Sequence, residues 1–549
     1  MAVHSNAIHV IGTGPVGLAF ALRVANQGQA VVLIDSGAWG ASQRGLLDGS
    51  IRSALDAPNV VDDQLVADGS IYSIGDRYLG KSRALGLGGS ALLWRVRARP
   101  DGADRVRVVR GDPSDFDARP RLGIPGWPGN AMGVLDRYSD ALEFLELTEA
   151  GFEADDAIPV GKPLPLDPHD MPLRFFQFPA REVVIERRLQ DAIDHPGIEV
   201  VSDHHLVGIE TEGQRQVTEV RFATRDGIRR MSTSHLVLAL GGVENSRQLL
   251  LAADAGALVD RHDTFGRWFA DHPHTRLGHL VNPDAALRES MAFYDFHDVD
   301  GAPVLAGHEI GDELAESERL LRFSLDFVGR PVGEASRTGV DLARAWATYR
   351  RHGRGGFATH LPRLARSPKK AAALVRSYRN TPMHGTAFGG WSDPASRLYD
   401  VGSLSVEAMF EQRPSPDNRI VLSRRSDSLG RRLPQVHWSF SRTEIDSIIR
   451  AADLVKDVLR DAGVDGFITM RELGEGPLPR AGSGFHHLGG TRQSDDPADG
   501  VVDADNRVHG VDNLLVVGGS VFPNTVGFAN PTLTAIADSI RTADALLAR

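Results

Sequence analysis

The sequence predicts an α/β fold, in which a Rossmann-like domain is interleaved with an α+β domain that contains a mostly antiparallel sheet. A strand–turn–helix–strand unit rich in glycine opens the chain, and two later apolar runs, at 236–240 and 514–517, also end in glycines. Such runs are typical of buried strands in nucleotide-binding sheets. The length of 549 residues also exceeds the size at which one hydrophobic core stops growing. We therefore expect two domains, of which the first is discontinuous.

The first glycine-rich turn lies close to the N-terminus. Gly12, Gly14 and Gly17 form a GxGxxG pattern between an apolar run and a helical one, and Asp35 ends the next apolar run, at 30–34. Gly12 permits the tight turn, Gly14 lets a pyrophosphate approach the backbone, and Gly17 lets the helix pack closely against the strand. The helix start favours phosphate charge, and Asp35 can accept hydrogen bonds from a ribose. This unit predicts a bound dinucleotide and does not distinguish NAD from FAD.

Composition excludes several classes of function. The net charge of −11 argues against nucleic acid or an anionic membrane as the main partner. The chain has no cysteine, which excludes disulfides, thiolate metal sites, cysteine nucleophiles and cysteinyl–flavin links. No apolar run approaches the ~20 residues needed to cross a bilayer, and the first apparent strand begins too early for a signal peptide to precede it. We expect a cytoplasmic protein.

Two further segments place glycines beside apolar residues. Residues 83–94 contain Gly88 and Gly89, and the apolar run at 236–240 leads into Gly241 and a helical pattern. Adjacent glycines usually mean close backbone packing. They also suit a bare backbone that lies against a flat ring or a second phosphate, so both interpretations stay open at this point.

The last apolar run leads to a helix start. Asn530 and Pro531 precede apolar residues at helical spacing. Asparagine at the N-cap and proline at the first helical position are typical of helix starts. The free N–H groups and the positive end of the helix dipole would stabilise an anionic ligand there.

Together these segments resemble the glucose–methanol–choline (GMC) oxidoreductase family, and the resemblance spans almost the whole chain. The pairing of HLGGT at 487–491 with ANPTLTA at 529–535 is most similar to pyranose oxidases and the related bacterial glycoside 3-oxidases. The other matching motifs are Trp127-Pro128, Gly266-Arg267, Asp271-His272-Pro273, Glu411 to Pro414 and Asn418-Arg419.

The resemblance implies FAD as the cofactor, with the helix start at Asn530 stabilising the anionic reduced flavin. Fungal pyranose oxidases link FAD to a histidine in the segment that matches 88–94. This chain has Leu93 in that place, so we expect FAD to be bound non-covalently. The residues that the resemblance places against the cofactor are Gly12, Gly14, Pro15, Gly17, Asp35, Arg83, Gly88, Gly89, Ser90, Trp94, Leu206, Gly241, Gly519, Ser520, Pro531 and Thr532.

Alcohol oxidation by a flavin needs a base that takes the hydroxyl proton, and histidine suits this because its pKa lies near neutral pH. The resemblance implies His487 as the base and Asn530 as its partner on the same alkoxide. Successive side chains of an extended segment alternate, so we expect His486 to point elsewhere and to be structural or supporting. Gln412 and Arg95 are the predicted sugar contacts. For Gln412, a position on a solvated strand edge is an equally good interpretation. For Arg95, an ordinary salt bridge is equally good.

Other catalytic classes are disfavoured by spacing. The histidine pairs 204–205, 272/274 and 486–487 have neither HExxH spacing nor a CxxC partner, and adjacent histidines do not easily share one ion. No GxSxG elbow follows a strand, which disfavours a serine hydrolase. We expect no catalytic metal.

The predicted domains are interleaved. The FAD-binding domain consists of residues 1–100, 190–275 and 475–549, and the substrate-binding domain of residues 101–189 and 276–474. Within the latter, 444–462 has the pattern of an amphipathic helix. Residues 341–380 carry ten Lys or Arg against one acid. They form either a solvated helical pair or a mobile arm or subunit contact that gates the pocket.

The sequence thus predicts oxidation of a secondary hydroxyl of a pyranose or glycoside to a keto-sugar, with C3 favoured by the resemblance and O2 as the acceptor that yields H2O2. Alternatives are a dehydrogenase that uses a quinone or a protein acceptor, pyranose 2-oxidation, and an NAD enzyme. From another class, the chain could bind a nucleotide without catalysis. The resemblance also allows a homo-oligomer.

Overall fold

The structure, a computed structural model, describes residues 7–37, 82–94, 96, 103–129, 131–154, 157–281, 283–331, 392, 401–464, 466–470, 472 and 482–549. The predicted sugar contact Arg95 and the basic segment 341–380 lie outside these residues.

The described chain contains strands and helices throughout, and several strands follow one another without an α-helix between them. The strands are β1 (Ile8–Ile11), β2 (Val31–Ile34), β3 (Leu173–Gln177), β4 (Ile198–Val201), β5 (His205–Glu212), β6 (Gln216–Thr224), β7 (Gly227–Ser232), β8 (His235–Leu238), β9 (Pro273–Val281), β10 (Phe296–Val299), β11 (Ala302–Glu309), β12 (Phe323–Pro331), β13 (Val401–Phe410), β14 (Arg419–Ser426), β15 (Arg432–His437), β16 (Phe467–Thr469), β17 (Gly482–Ser483) and β18 (Leu514–Val516). The α-helices are α1 (Pro15–Asn26), α2 (Ala131–Leu135), α3 (Tyr138–Leu145), α4 (Leu189–Asp194), α5 (Gly242–Asp254), α6 (Ala285–Ser290), α7 (Asp312–Ser317), α8 (Arg442–Asp461) and α9 (Pro531–Leu547).

A five-stranded parallel sheet, ordered β18–β8–β1–β2–β4, forms the nucleotide-binding part of the fold. Strands β1, β2, β8 and β18 are short and almost wholly buried, as their apolar runs predicted, and β4 is more exposed. Because the carboxyl ends of parallel strands meet at one edge, Gly12, Asp35, Gly241 and Gly518 are brought to the same edge by the ends of four strands. This arrangement confirms the predicted α/β class.

The start of α1 packs directly on the turn that follows β1. Gly12 has φ +112°, a conformation that favours glycine. A Cβ on Gly17 would lie 2.0 Å from the carbonyl oxygen of Gly12 and 3.1 Å from the Cβ of Ala239. The helix therefore needs glycine at position 17 in order to approach the sheet, which is the close packing that the sequence predicted.

We expect Gly17→Ala to lower the free energy of unfolding by about 1–3 kcal/mol, because the added methyl group overlaps backbone that cannot move without disturbing β1. Gly14→Ala is the matched control, since a Cβ on Gly14 would meet no atom closer than 4.0 Å. Urea denaturation of both variants measures the difference. Equal stability of the two variants would contradict this account of the turn.

A second, antiparallel sheet has the order β10–β11–β12–β13–β9–β16, with β17 added to β9 and β3 to β11. Helix α8 covers it and begins with a capping box between Ser441 and Glu444. Ile445, Ile448 and Val455 are among its buried residues, and they recur at helical spacing. The amphipathic helix that the sequence placed at 444–462 is thus confirmed, with a start two residues earlier.

The described residues form two large hydrophobic clusters, one around the parallel sheet and one between the antiparallel sheet and α8. The three-stranded sheet β5–β6–β7 and the hairpin β14–β15 complete the fold. Helix α9 packs along α1, where Asp544 accepts hydrogen bonds from Arg23 and Arg137. The predicted domain boundaries stay a prediction. Among the described helices, none has the length and hydropathy that a bilayer crossing requires.

Candidate active site

The turn after β1 is closed by a buried carboxylate. Asp35 accepts hydrogen bonds from the backbone N–H of Thr13 at 2.9 Å, from the Thr13 hydroxyl at 2.6 Å, and from the N–H of Gly37 at 2.7 Å. Burial raises the pKa of Asp35, although these hydrogen bonds oppose the shift. Both carboxylate oxygens are therefore used within the protein, and the ribose contact of Asp35 stays a prediction.

The second glycine-rich segment lies against this turn. The N–H of Gly88 donates to the Thr13 hydroxyl at 2.9 Å, and a Cβ on Gly89 would lie 3.2 Å from the Cα of Gly14. Gly89 begins a 3₁₀ turn that ends at Leu93, with Trp94 as its C-cap. The structure thus brings the two glycine segments together, as expected if both face one cofactor.

Beside these segments lies a small open cavity with a volume of about 50 Å³. Arg83, Ser90, Gly241, Glu244 and His487 are among its lining residues. Arg83 donates to Glu244 at 2.5 Å. Burial raises the pKa of Glu244, but nearby arginines, including Arg83, hold it down to about 2. Burial and the charge of Arg83 lower the pKa of His487 to about 3. His487 is therefore a neutral residue of this cavity.

Three further predicted cofactor residues lie at the carboxyl edge of the parallel sheet or in the elements next to it. Ser520 is fully buried and accepts from the amide of Asn245 at 2.9 Å, and Gly519 accepts from the N–H of Gly489 at 3.1 Å. Leu206 is buried in β5, where its carbonyl accepts from Arg431 at 2.7 Å. The hydroxyl of Ser520 is thus used within the protein, as an acceptor for the Asn245 side chain.

The helix start predicted at Asn530 is present. Asn530 is the N-cap of α9, Pro531 opens the helix, and Thr532 follows in a first turn without acidic residues. The Asn530 side chain does not cap its own helix. Its amide nitrogen lies 3.0 Å from Nε2 of His486 instead.

The residue paired with Asn530 is therefore His486, whereas the sequence predicted His487. The two histidine rings contact different groups, since His486 lies beside His272 and His487 lines the cavity with Arg83. The role of His487 as the base stays a prediction. Phe485 has φ +60°, so the backbone turns just before the pair. Nδ1 of His486 lies 2.9 Å from Nδ1 of His272. Sequence reasoning gave His486 and His272 no catalytic role, although the Asp271-His272-Pro273 motif was a usable signal.

A buried carboxylate holds both of these histidines. Asp271 is fully buried and accepts from the backbone N–H of His272 at 2.7 Å and of His486 at 3.0 Å. Its own N–H donates to the side-chain oxygen of Gln412 at 3.0 Å, and that oxygen also accepts from the indole of Trp438 at 2.8 Å. Gln412 is itself fully buried. Its side-chain oxygen supports Asp271 in this structure, and the sugar contact of Gln412 stays a prediction.

Burial lowers the pKa of His272 to about 4, from an ordinary value of 6.5. The unfolded chain takes up a proton near pH 6.5, whereas the folded chain keeps this ring neutral down to about pH 4. The contribution of His272 to the free energy of unfolding is therefore constant above pH 6.5, and it decreases as the pH drops from 6.5 to 4. We expect His272 alone to account for about 3 kcal/mol of this loss.

Urea denaturation at a series of pH values measures this effect. His272→Gln, which cannot titrate there, should give a shallower loss of stability between pH 6.5 and 4 than the parent protein. Parallel curves for the two proteins would show that His272 does not titrate as its burial requires.

Within the described part of the chain, no group of three or more His, Cys, Asp or Glu is arranged to hold a metal ion.

Residues 414–538 match the family model described as GMC oxidoreductase, in its C-terminal region. The chain is 34% identical to paromamine 6'-oxidase of Streptomyces fradiae over 168 residues, which cover 30% of each chain. It is 32% identical to 6'''-hydroxyparomomycin C oxidase of Streptomyces lividus over 186 residues, which cover 33% of this chain and 32% of that one. The matches thus span about a third of the length of these relatives.

Solved structures show the same fold over almost the whole chain. Pyridoxine 4-oxidase from Mesorbium loti superposes with a TM-score of 0.51 and 15% identity, covering 99% of both chains. A formate oxidase variant from Aspergillus oryzae RIB40, solved to study FAD modification, superposes with a TM-score of 0.52 and 16% identity. That superposition covers 100% of this chain and 99% of the other.

Proposed function

Because the chain carries a GMC oxidoreductase C-terminal domain, we propose that it is an FAD-dependent enzyme that oxidises a hydroxyl group of a sugar or glycoside to a carbonyl. The observation that carries this proposal is the pair His486–Asn530, in which a histidine nitrogen and an amide meet at 3.0 Å at the start of α9. A neutral histidine nitrogen can take the proton of an alcohol, and an amide N–H can stabilise the oxygen as negative charge develops on it.

The chain's own residues suit FAD. The first turns of α1 and α9 contain no acidic residue, so their positive ends are available to the pyrophosphate and to a flavin that gains negative charge. Gly14 and Gly89 pack so closely that a Cβ on Gly89 would lie 3.2 Å from the Cα of Gly14, so the two glycine turns form one continuous backbone surface. The cavity beside Arg83 and His487 continues this surface.

In the proposed reaction, the substrate carbon loses a hydride and the substrate hydroxyl loses a proton, which leaves a carbonyl. Bound FAD supplies the hydride acceptor. His486 takes the proton at Nε2, and its burial keeps this ring neutral beforehand by lowering its pKa well below the ordinary value. The amide of Asn530 hydrogen-bonds the same oxygen as negative charge develops on it. His487, the base that the sequence predicted, is the alternative that mutagenesis must exclude.

The position of oxidation has two candidates. The resemblance to glycoside 3-oxidases and pyranose oxidases favours the C3 hydroxyl, which would give a keto-sugar. The names of the two Streptomyces relatives, which denote oxidation at a 6' position and a 6'''-hydroxy substrate, favour a C6-type hydroxyl, which would give an aldehyde. NMR of the product distinguishes a ketone from an aldehyde.

The test of the function is an anaerobic absorbance spectrum before and after the addition of glucose, an aryl glycoside or paromamine. We expect flavin bands near ~450 nm that bleach with the sugar and return in air, with H2O2 as product. Bleached bands that return only with a quinone would establish a dehydrogenase. A flavin that no alcohol bleaches would leave a nucleotide-binding protein, and protein that binds NAD but no FAD would overturn the proposal.

We further propose that FAD is bound non-covalently, because Leu93 stands where a covalent histidine would be required. Acid precipitation should release the flavin into the supernatant. Flavin that stays with the precipitated protein would contradict this.

A further inference from the structure

We propose that His272 is a positioning residue that fixes the tautomer of His486, and that it thereby keeps Nε2 of His486 unprotonated and able to take the proton of the substrate hydroxyl. This inference rests on the proposed role of His486 as the base, but its spectroscopic test does not require a substrate.

The tautomers follow from a chain of hydrogen bonds that begins at two carbonyl groups. Nε2 of His272 lies 3.1 Å from the carbonyl oxygen of Thr525 and 3.1 Å from that of Gly527. A carbonyl oxygen only accepts, so Nε2 of His272 must carry a hydrogen. Burial lowers the pKa of His272 to about 4, so this ring is neutral at ordinary pH and its Nδ1 holds a lone pair.

That lone pair determines the state of the next ring. Nδ1 of His272 lies 2.9 Å from Nδ1 of His486. Because the first nitrogen can only accept, the second must donate, and His486 carries its hydrogen on Nδ1. Its Nε2 is then an acceptor, which matches the amide nitrogen of Asn530 at 3.0 Å. Each step of the chain therefore leads to the tautomer in which Nε2 of His486 can take a proton.

These hydrogen bonds orient His486 and do not carry protons away from it. The carbonyl oxygens of Thr525 and Gly527 are not basic, so His272 cannot pass a proton onward. His272 is fully buried, and the hydroxyl of Thr525 donates to the carbonyl oxygen of Gly527 at 2.9 Å, which fixes the loop that carries the two acceptors. When His486 gains a proton on Nε2, Nδ1 of His272 still accepts its other N–H and stabilises the charged ring.

The test uses two substitutions that divide the functions of His272. In His272→Asn, the side-chain oxygen lies where Nδ1 was and can still accept from His486. In His272→Gln, the longer amide reaches the carbonyl oxygens of Thr525 and Gly527 but leaves no acceptor at the Nδ1 position. Removal of a group that orients a metal-ligating histidine typically costs about 10–100-fold in metal affinity or activity, and we expect a loss of the same order for a histidine base.

We expect His272→Gln to lower the rate of anaerobic flavin reduction at saturating sugar by about 10–100-fold, whereas His272→Asn stays within a few-fold of the parent. In protein labelled with ¹⁵N-histidine, the His486 signal, identified by its loss in His486→Gln, should show protonated Nδ1 in the parent and in His272→Asn. It should show a mixture of tautomers in His272→Gln.

A protonated Nε2 on His486 in the parent protein would overturn the proposal, as would an unchanged tautomer in His272→Gln. Equal loss of activity in both variants would assign His272 to structure alone. Because the tautomer is read without sugar, a parent protein with the expected tautomer and no sugar-dependent bleaching would refute the proposed function and leave the role of His272 intact.

Discussion

His486→Ala should lower the rate of flavin reduction by sugar by about 10²–10⁴-fold, the range typical of the loss of a general base. FAD should stay bound, because His486 lies on the side of Asn530 and His272 and does not line the cavity beside Arg83. Anaerobic stopped-flow absorbance measures the rate, and the flavin content of the purified variant shows that the cofactor is retained.

His487→Gln is the matched control, since it changes the adjacent histidine. His487 lines the cavity with Arg83 and Gly241, so this substitution should weaken cofactor retention and change the reduction rate of the remaining holoenzyme only a few-fold. The reverse outcome, in which His487→Gln loses reduction and His486→Ala keeps it, would restore the assignment made from the sequence.

Asp271→Ala should lower the free energy of unfolding by about 2–5 kcal/mol. The buried carboxylate accepts from the backbone N–H groups of His272 and His486 and from the hydroxyl of Ser483. Alanine would leave these donors without their acceptor, and each buried unsatisfied group costs about 1–3 kcal/mol. Urea denaturation at pH 7 measures the loss.

Asp271→Asn keeps the size of the side chain and one acceptor oxygen, so we expect it to lose clearly less stability than Asp271→Ala. Both variants should also slow flavin reduction, because Asp271 holds the backbone of His486 in place. If Asp271→Ala has the stability of the parent protein, the two histidines are held by other contacts and the account of this network is wrong.

Much of the fold was predictable because its signals are local. The apolar runs that became β1, β2, β8 and β18, the glycine turn at Gly12, and the helix start at Asn530 each depend on a few neighbouring residues. The carboxyl ends of parallel strands meet at one edge, and this places Gly12, Gly241 and Gly518 together in the fold. The role of Gly17, which lets the helix pack against the turn at Gly12, could be predicted because it depends only on the conformation of a few neighbouring residues.

The roles of the polar side chains depended on contacts between distant parts of the chain. The sequence left Gln412 open between a sugar contact and a solvated strand edge. In the structure Gln412 is buried, and its side-chain oxygen accepts from the backbone N–H of Asp271 and from the indole of Trp438. No periodicity of the sequence around position 412 carries that information.

The sequence by itself determined the α/β class, the glycine cradle, the helix start at Asn530 and the family resemblance, because each follows from short-range pattern and backbone sterics. Only the tertiary structure decided which of two adjacent histidines meets Asn530. That choice depends on the backbone turn at Phe485 and on Asp271, which holds the N–H of His486 from more than two hundred residues away. Alternation along a strand places two side chains on opposite faces, but only long-range contacts determine which face lies toward Asn530.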